Sequence, residues 1–105
     1  MDYEMVAEYN NAKRLWEINA SGEIDIFNSG EFKDEVSALI KEKPADICID
    51  CGNLKYIDST GLGAMVALLK SVREYGGRMT LRNVGSNMQR LLQITSLDKS
   101  FHAEG

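Results

Sequence analysis

The sequence predicts an α/β fold: a small mixed sheet of about four to five strands, with helices packed mainly on one face. An antiparallel hairpin opens this sheet and parallel strands continue it. Three observations lead there. Two alternating segments stand side by side at the N-terminus, joined by a short polar connection, which is the pattern of a hairpin. Farther on, apolar stripes at helical spacing alternate with short apolar or β-branched segments, and such strands become parallel neighbours through right-handed crossovers. Finally, 105 residues at 44% hydrophobic and 27% charged suffice for one modest core, so residues 1–105 are expected to form a single domain. No repeat, linker or low-complexity stretch divides the chain.

The elements come in this order. Tyr3 to Tyr9 mixes apolar and acidic residues as a strand does, and Asn10-Asn11 makes the turn. From Leu15 to Ala20 the alternation is clean, with Trp16, Ile18 and Ala20 on one face and Glu17 and Asn19 on the other. Ser21-Gly22 is expected to end this strand. Asn28 and Glu31 have capping-box spacing, and Phe27 with Phe32 would staple the start of a helix whose stripe is Phe32, Val36, Leu39 and Ile40. Pro44 stops it. Ile47-Cys48-Ile49-Asp50-Cys51, bounded by Pro44 and Gly52-Asn53, reads as a strand near the sheet centre. A second helix is expected from about Ser59 to Tyr75, carrying Leu62, Met65, Val66, Leu69 and Val72 inward and ending at Gly76-Gly77. Arg78 to Val84 reads as a further strand with Met79 and Leu81 inward. Ser86 and Gln89 form another capping-box pair, opening a short helix with Met88, Leu91 and Leu92. Residues Leu97 to Gly105 carry no clear pattern.

Composition excludes several classes of function. Twelve Lys and Arg against sixteen Asp and Glu give a net charge of −4, which argues against nucleic acid or anionic lipid as a partner. No run approaches the roughly 18 apolar residues of a membrane span. The N-terminus has neither the basic nor the apolar region of an export signal, and two cysteines make no disulfide framework, so a cytoplasmic location is expected. The only histidine, His102, falls in a C-terminal tail expected to fray. Without a second histidine there is no multi-His zinc site, and a Ser-His-Asp or Cys-His arrangement is disfavoured. We therefore expect no enzyme, no metal and no cofactor.

The remaining motifs reduce to one. Cys48 and Cys51 form C-x-x-C, but inside a strand an odd separation sends them to opposite faces, and no second pair completes a metal site. They read as buried structural cysteines. Asn19-Ala20-Ser21 matches a glycosylation sequon that a chain kept in the cytoplasm never presents to the machinery. Gly61-Leu62-Gly63 lacks the third glycine of a dinucleotide fingerprint, since Val66 stands there. Asp58-Ser59-Thr60-Gly61 has one residue too many for the aspartic protease motif. There remains the polar cluster Asp58, Ser59 and Thr60 at the start of the second helix. One of these side chains could simply cap the helix, contributing about 1 kcal/mol. The cluster also offers an accessible hydroxyl, with Gly61 and Gly63 leaving the backbone open to a close partner and free N–H groups able to receive a phosphate.

The order of elements and the string Tyr56-Ile57-Asp58-Ser59-Thr60-Gly61-Leu62-Gly63 resemble the STAS domain family, and more narrowly its bacterial anti-sigma factor antagonists. Gly22-Glu23-Ile24-Asp25, Gly76-Gly77 before a strand, and Arg90-Leu91-Leu92-Gln93-Ile94-Thr95 match the same family in order, so the resemblance spans nearly the whole chain. Ser96 stands where relatives often have glycine. The resemblance implies that Ser59 is phosphorylated by an anti-sigma factor that is also a serine kinase, with Thr60 the second choice. It further implies that the unphosphorylated form binds this factor and frees the sigma factor, and that a phosphatase acting on phosphorylated Ser59 resets the switch. Gly22, Glu23, Asp25, Asp58, Ser59, Thr60, Gly61, Leu62 and Gly63 would then form the partner surface. Phosphorylation adds about −1.5 to −2 charge, which the helix N-terminus should tolerate without unfolding while the partner's patch rejects it. A STAS scaffold or sensor module of another signalling assembly is the alternative, and a small enzyme using Ser59 or a cysteine is a third reading.

Overall fold

A computed structural model describes residues 2–104, and the side chains up to Phe101. Along the chain run β1 (Tyr3–Asn10), β2 (Leu15–Ile24), α1 (Ser29–Glu42), β3 (Asp46–Ile57), α2 (Ser59–Glu74), β4 (Met79–Arg82), α3 (Ser86–Ile94) and β5 (His102–Glu104). The strands form one five-stranded sheet in the order β1-β2-β3-β4-β5. The β1–β2 pair is antiparallel, with Tyr3 opposite Gly22 and Asn10 opposite Leu15, and every later pair is parallel. This is the mixed sheet expected from the sequence.

One face of the sheet carries the core. Trp16, Ile18, Ala20, Ile47, Ile49, Cys51, Met79 and Leu81 point to it from the strands. Phe32, Val36 and Ile40 from α1, Leu62, Met65, Leu68, Leu69 and Val72 from α2, and Met88 and Leu92 from α3 close it from above. The alternate strand positions, Glu17, Asn19, Cys48, Asp50 and Arg82, line a shallow groove on the opposite face. All three helices therefore cover the same side, as period-2 strands and single-stripe helices require.

The element ends differ from expectation, each for a local reason. Strand β2 does not stop at Ser21-Gly22. Gly22 adopts φ +87°, and the register against β3 slips at Asn19/Ser21 and Gly22/Glu23, so the strand passes through irregular pairing and resumes to Ile24. Likewise β3 continues through Gly52-Asn53 to Ile57, where the Asp50 carboxylate accepts the Gly52 N–H at 2.9 Å and the Asn83 amide at 3.1 Å. Tail residues 102–104 form an edge strand on β4 in place of the frayed end expected around His102.

Both capping boxes are absent. Asn28 is the N-cap residue of α1, but its side chain makes no cap hydrogen bond. It turns inward instead, and is only 7% exposed. Phe27 is 89% exposed while Phe32 is fully buried, so the expected staple does not form. Phe32 packs edge-on against Tyr3 at 5.7 Å, and the Tyr3 hydroxyl donates to Glu35. At α3 the N-cap is Gly85, Ser86 is the first helical residue, and the Gln89 amide reaches the Val84 carbonyl at 3.3 Å. The C-terminal stop of α2 is as read: Gly76 takes φ +79°, and the Gly77 N–H returns to the Val72 carbonyl at 2.9 Å.

Candidate functional site

Strands β2 and β3 run parallel and end side by side, Glu23 opposite Tyr56 and Ile24 opposite Ile57. Two segments therefore meet at one end of the sheet: the β2–α1 loop from Asp25 to Asn28, and the first turn of α2. The two are joined directly. The Asp58 N–H donates to the Ile24 carbonyl at 3.3 Å, and the Ile26 amide lies on the side of the Asp58 carboxylate, where it favours the ionised form. From the other side, the Asn87 side chain accepts the Ile57 N–H at 3.2 Å and ties the start of α3 to the end of β3.

Within the Asp58-Ser59-Thr60 cluster the geometry divides the roles. Asp58, in extended backbone conformation, is the N-cap of α2, and its Oδ1 accepts the Gly61 N–H at 2.9 Å. The same oxygen accepts the Thr60 hydroxyl at 2.6 Å. Partial burial alone would raise the Asp58 pKa. The Thr60 hydroxyl and the amides of Gly61, Thr60 and Ile26 outweigh that and hold the carboxyl below its ordinary value, so it is ionised at neutral pH. Ser59 is exposed, and its hydroxyl makes no hydrogen bond among the described residues. Of the two neighbouring hydroxyls, one is engaged by the cap and the other is presented outward.

Two expectations about this turn need correction. Its amides are not all free, because Asp58 already takes that of Gly61. A phosphate on Ser59 would meet the positive end of the helix but also an ionised neighbour, raising the local charge from −1 to about −3. Nor do the residues after Thr60 form one exposed surface. Gly61 is buried: a Cβ there would lie 2.6 Å from Ile57 Cγ1 and 2.9 Å from the Ile24 carbonyl oxygen. Leu62, 3% exposed, belongs to the core. Gly63 alone of the three is open, with no atom within 4 Å of a Cβ built on it. Gly61 is thus a packing residue that lets α2 close onto β2 and β3, and Leu62 turns inward after it.

Gly22, Glu23 and Asp25 stand on the approach to this end of the sheet, each half-buried. The Asp25 carboxylate accepts the Phe27 N–H at 2.9 Å. Sequence reasoning missed Ile26 and Phe27 as surface residues: they are 66% and 89% exposed beside the Asp58 turn. A staple pattern looks the same whether or not the N-cap side chain turns inward, so nothing local separated the two outcomes. The cysteines behave as read. Cys51 lies in the core with its thiol pushed up to about 12 by burial, with smaller contributions from Asp50 and Cys48, while Cys48 faces the opposite groove. Among the described residues no group of His, Cys, Asp and Glu could hold a metal ion, and no helix is long and apolar enough to cross a membrane.

Comparison with known proteins identifies the family. The STAS domain profile matches residues 7–104. The anti-sigma-B factor antagonist of Bacillus subtilis (strain 168) is 36% identical over 93 residues, covering 85% of this chain and 84% of that protein. The crystal structure of an anti-sigma factor antagonist from Mycobacterium paratuberculosis superposes with a TM-score of 0.80 at 24% identity, over 98% of this chain and 86% of the other. SpoIIAA, a Bacillus anti-sigma factor antagonist, shares the fold in its unphosphorylated form (TM-score 0.70, 18% identity, 92% and 97% of the two chains) and in its phosphorylated form (0.73, 20%, 95% and 90%). By its sheet order, its Asp-Ser-Thr-Gly turn and these relatives, the chain belongs to the STAS domain family and is similar to the bacterial anti-sigma factor antagonists.

Proposed function

We propose that this chain is a non-enzymatic, cytoplasmic anti-sigma factor antagonist switched by phosphorylation at Ser59. Unphosphorylated, it binds an anti-sigma factor that is also a serine kinase and so releases the sigma factor. Phosphorylated, it lets go, and a phosphatase restores it. The observation that carries this reading is the division of labour at the α2 tip: Asp58 caps, Thr60 is held by the cap, and Ser59 is offered to solvent. The helix dipole favours an anion there, and the modified group lies outside the core, so esterification leaves the packing intact. The solved forms of SpoIIAA, with and without phosphate, share one fold with this chain and support that point.

The change is confined to the surface. A partner patch complementary to a neutral hydroxyl must then accommodate a dianion next to the ionised Asp58, with desolvation and repulsion costing a few kcal/mol. At about 1.4 kcal/mol per tenfold, this abolishes a micromolar complex. The test is incubation with ATP and candidate anti-sigma kinases of the same genome, followed by site mapping by mass spectrometry. Phosphate on Ser59, retained binding by Ser59→Ala and weak binding by Ser59→Asp are expected. Phosphate elsewhere, or wild-type affinity in Ser59→Asp, would refute the switch.

A further inference from the structure

Among the described residues, single exposed apolar side chains occur at Val6, Tyr56, Tyr75 and Ile94, which is ordinary for a protein surface. Ile26 and Phe27 differ. They are consecutive, strongly exposed, and carried by the loop that leaves β2 at Ile24, whose carbonyl accepts the Asp58 N–H at 3.3 Å. The loop is also tightly built. Asn28 Oδ1 accepts the Asp25 N–H at 2.9 Å, and Asn28 Nδ2 donates to the Glu23 carbonyl at 2.9 Å. Asp25 accepts the Phe27 N–H through its side chain and the Ser29 N–H through its carbonyl, both at 2.9 Å. With the Asn28 side chain spent on the loop, Phe27 is denied the inward staple position and is held in water.

We infer that Ile26 and Phe27 are the apolar anchor of the Ser59 docking surface, inserting into an apolar cleft of the anti-sigma factor kinase. This rests on the function proposed above and names what supplies its affinity. A rigid aromatic side chain on a hydrogen-bonded loop costs little to order on binding, and such residues dominate interface energetics. The surrounding carboxylates of Glu23, Asp25 and Asp58 favour a cleft with a basic rim. The arrangement separates two tasks: Phe27 supplies affinity to the unphosphorylated complex, and the charge state of Ser59, a neighbour across Asp58, decides whether that affinity is enough to keep the partner bound.

The experiment measures binding of wild type, Phe27→Ala, Ile26→Ala, Phe27→Leu, Ser59→Ala and Ser59→Asp to the cognate anti-sigma kinase by calorimetry, with thermal melts of each. Phe27→Ala is expected to weaken binding about 30-fold, the size of an interface hot spot. Ile26→Ala should lose less, Phe27→Leu should recover part of the loss, and the melts should stay unchanged because both side chains lie in solvent. The rate of Ser59 phosphorylation at low substrate should fall in parallel. Phe27→Ala binding within twofold of wild type, while Ser59→Asp fails to bind, would overturn the anchor and leave the switch standing. A wild-type chain that binds no anti-sigma kinase would overturn both. If Phe27→Ala altered only self-association, seen by sedimentation, the patch would join copies of this chain and the inference would be wrong.

Discussion

Replacing Gly61 and Gly63 by alanine, two residues apart in one helix, should move stability in opposite directions. Helix propensity alone favours alanine over glycine by about 1 kcal/mol at either site. At Gly63 nothing lies within 4 Å of the new Cβ, so that gain is realised. At Gly61 the Cβ would sit 2.6 Å from Ile57 Cγ1, 2.9 Å from the Ile24 carbonyl oxygen and 3.0 Å from Ile24 Cγ2. Ile24 and Ile57 are fully buried, and the Ile24 carbonyl accepts the Asp58 N–H, so the obstruction is a fixed part of β2 and not a side chain that can swing away. Overpacking of this kind costs about 1–3 kcal/mol, and the backbone contact places Gly61→Ala at the upper end. Subtracting the propensity gain leaves a net loss of about 2 kcal/mol. For a domain of this size that corresponds to a fall in Tm of about 8–16 °C, against a rise of about 4–8 °C for Gly63→Ala. Urea titrations of both variants, checked for unchanged m-values, provide the measurement. If Gly61→Ala were as stable as wild type or more so, the close packing of the α2 tip on β2 would be wrong, and with it the explanation of why glycine stands there.

Four further variants or probes test other parts of the structure. Asp58→Ala should cost about 1–2 kcal/mol at pH 7, because the carboxylate caps α2 through the Gly61 N–H and also accepts the Thr60 hydroxyl. Since the native carboxyl titrates below its ordinary 3.8, this contribution is fully present above that pH and fades as pH falls through the native value; a gap between wild type and Asp58→Ala that widened in acid would contradict it. Cys51, its thiol raised to about 12 and its side chain in the core, should resist iodoacetamide at pH 8 in the folded chain and react readily in urea; rapid labelling of the native protein would show the burial to be mistaken. Ser96 has φ +60° at the end of α3, so Ser96→Gly should stabilise by about 0.5–1 kcal/mol, read as an increase in urea midpoint. Gly22→Ala, at φ +87° and with its Cβ driven into the Asp2 carbonyl oxygen, should lose about 2 kcal/mol by the same assay.

Much of the fold is legible in local pattern. Trp16-Ile18-Ala20, Phe32-Val36-Ile40 and Met79-Leu81 each have the period of the element they form, and burial tracks that period without reference to the rest of the chain. Pro44 and Gly76 stop helices by covalent and steric rules that hold anywhere. The end of α3 is a matching case in reverse: Ser96 holds a left-handed φ of +60°, the conformation that glycine adopts at least cost. Strand ends were less legible. At Ser21-Gly22 and Gly52-Asn53 the usual stop signals sit inside strands, because pairing with a neighbour supplies the hydrogen bonds that carry an irregular stretch onward. Edge strand β5 was invisible for the same reason, its three residues being strand only because β4 lies beside them.

By itself the sequence determined the single core face, the mixed sheet, the helix stops and the Asp58-Ser59-Thr60 turn at the tip of α2, since these depend on period, covalent geometry and residue chemistry close along the chain. Tertiary structure decided which member of that turn is free. Asp58 could cap, Ser59 could cap, and either hydroxyl could face solvent until the β2–α1 loop came to rest against the turn. The Ile24 carbonyl then placed Asp58 by accepting its N–H, and Asp58 in turn took the Thr60 hydroxyl. The same encounter pressed Gly61 and Leu62 inward and left Phe27 in water, because hydrogen bonds made between distant stretches of chain answer to the packing of two strand ends and to nothing that adjacent residues can specify.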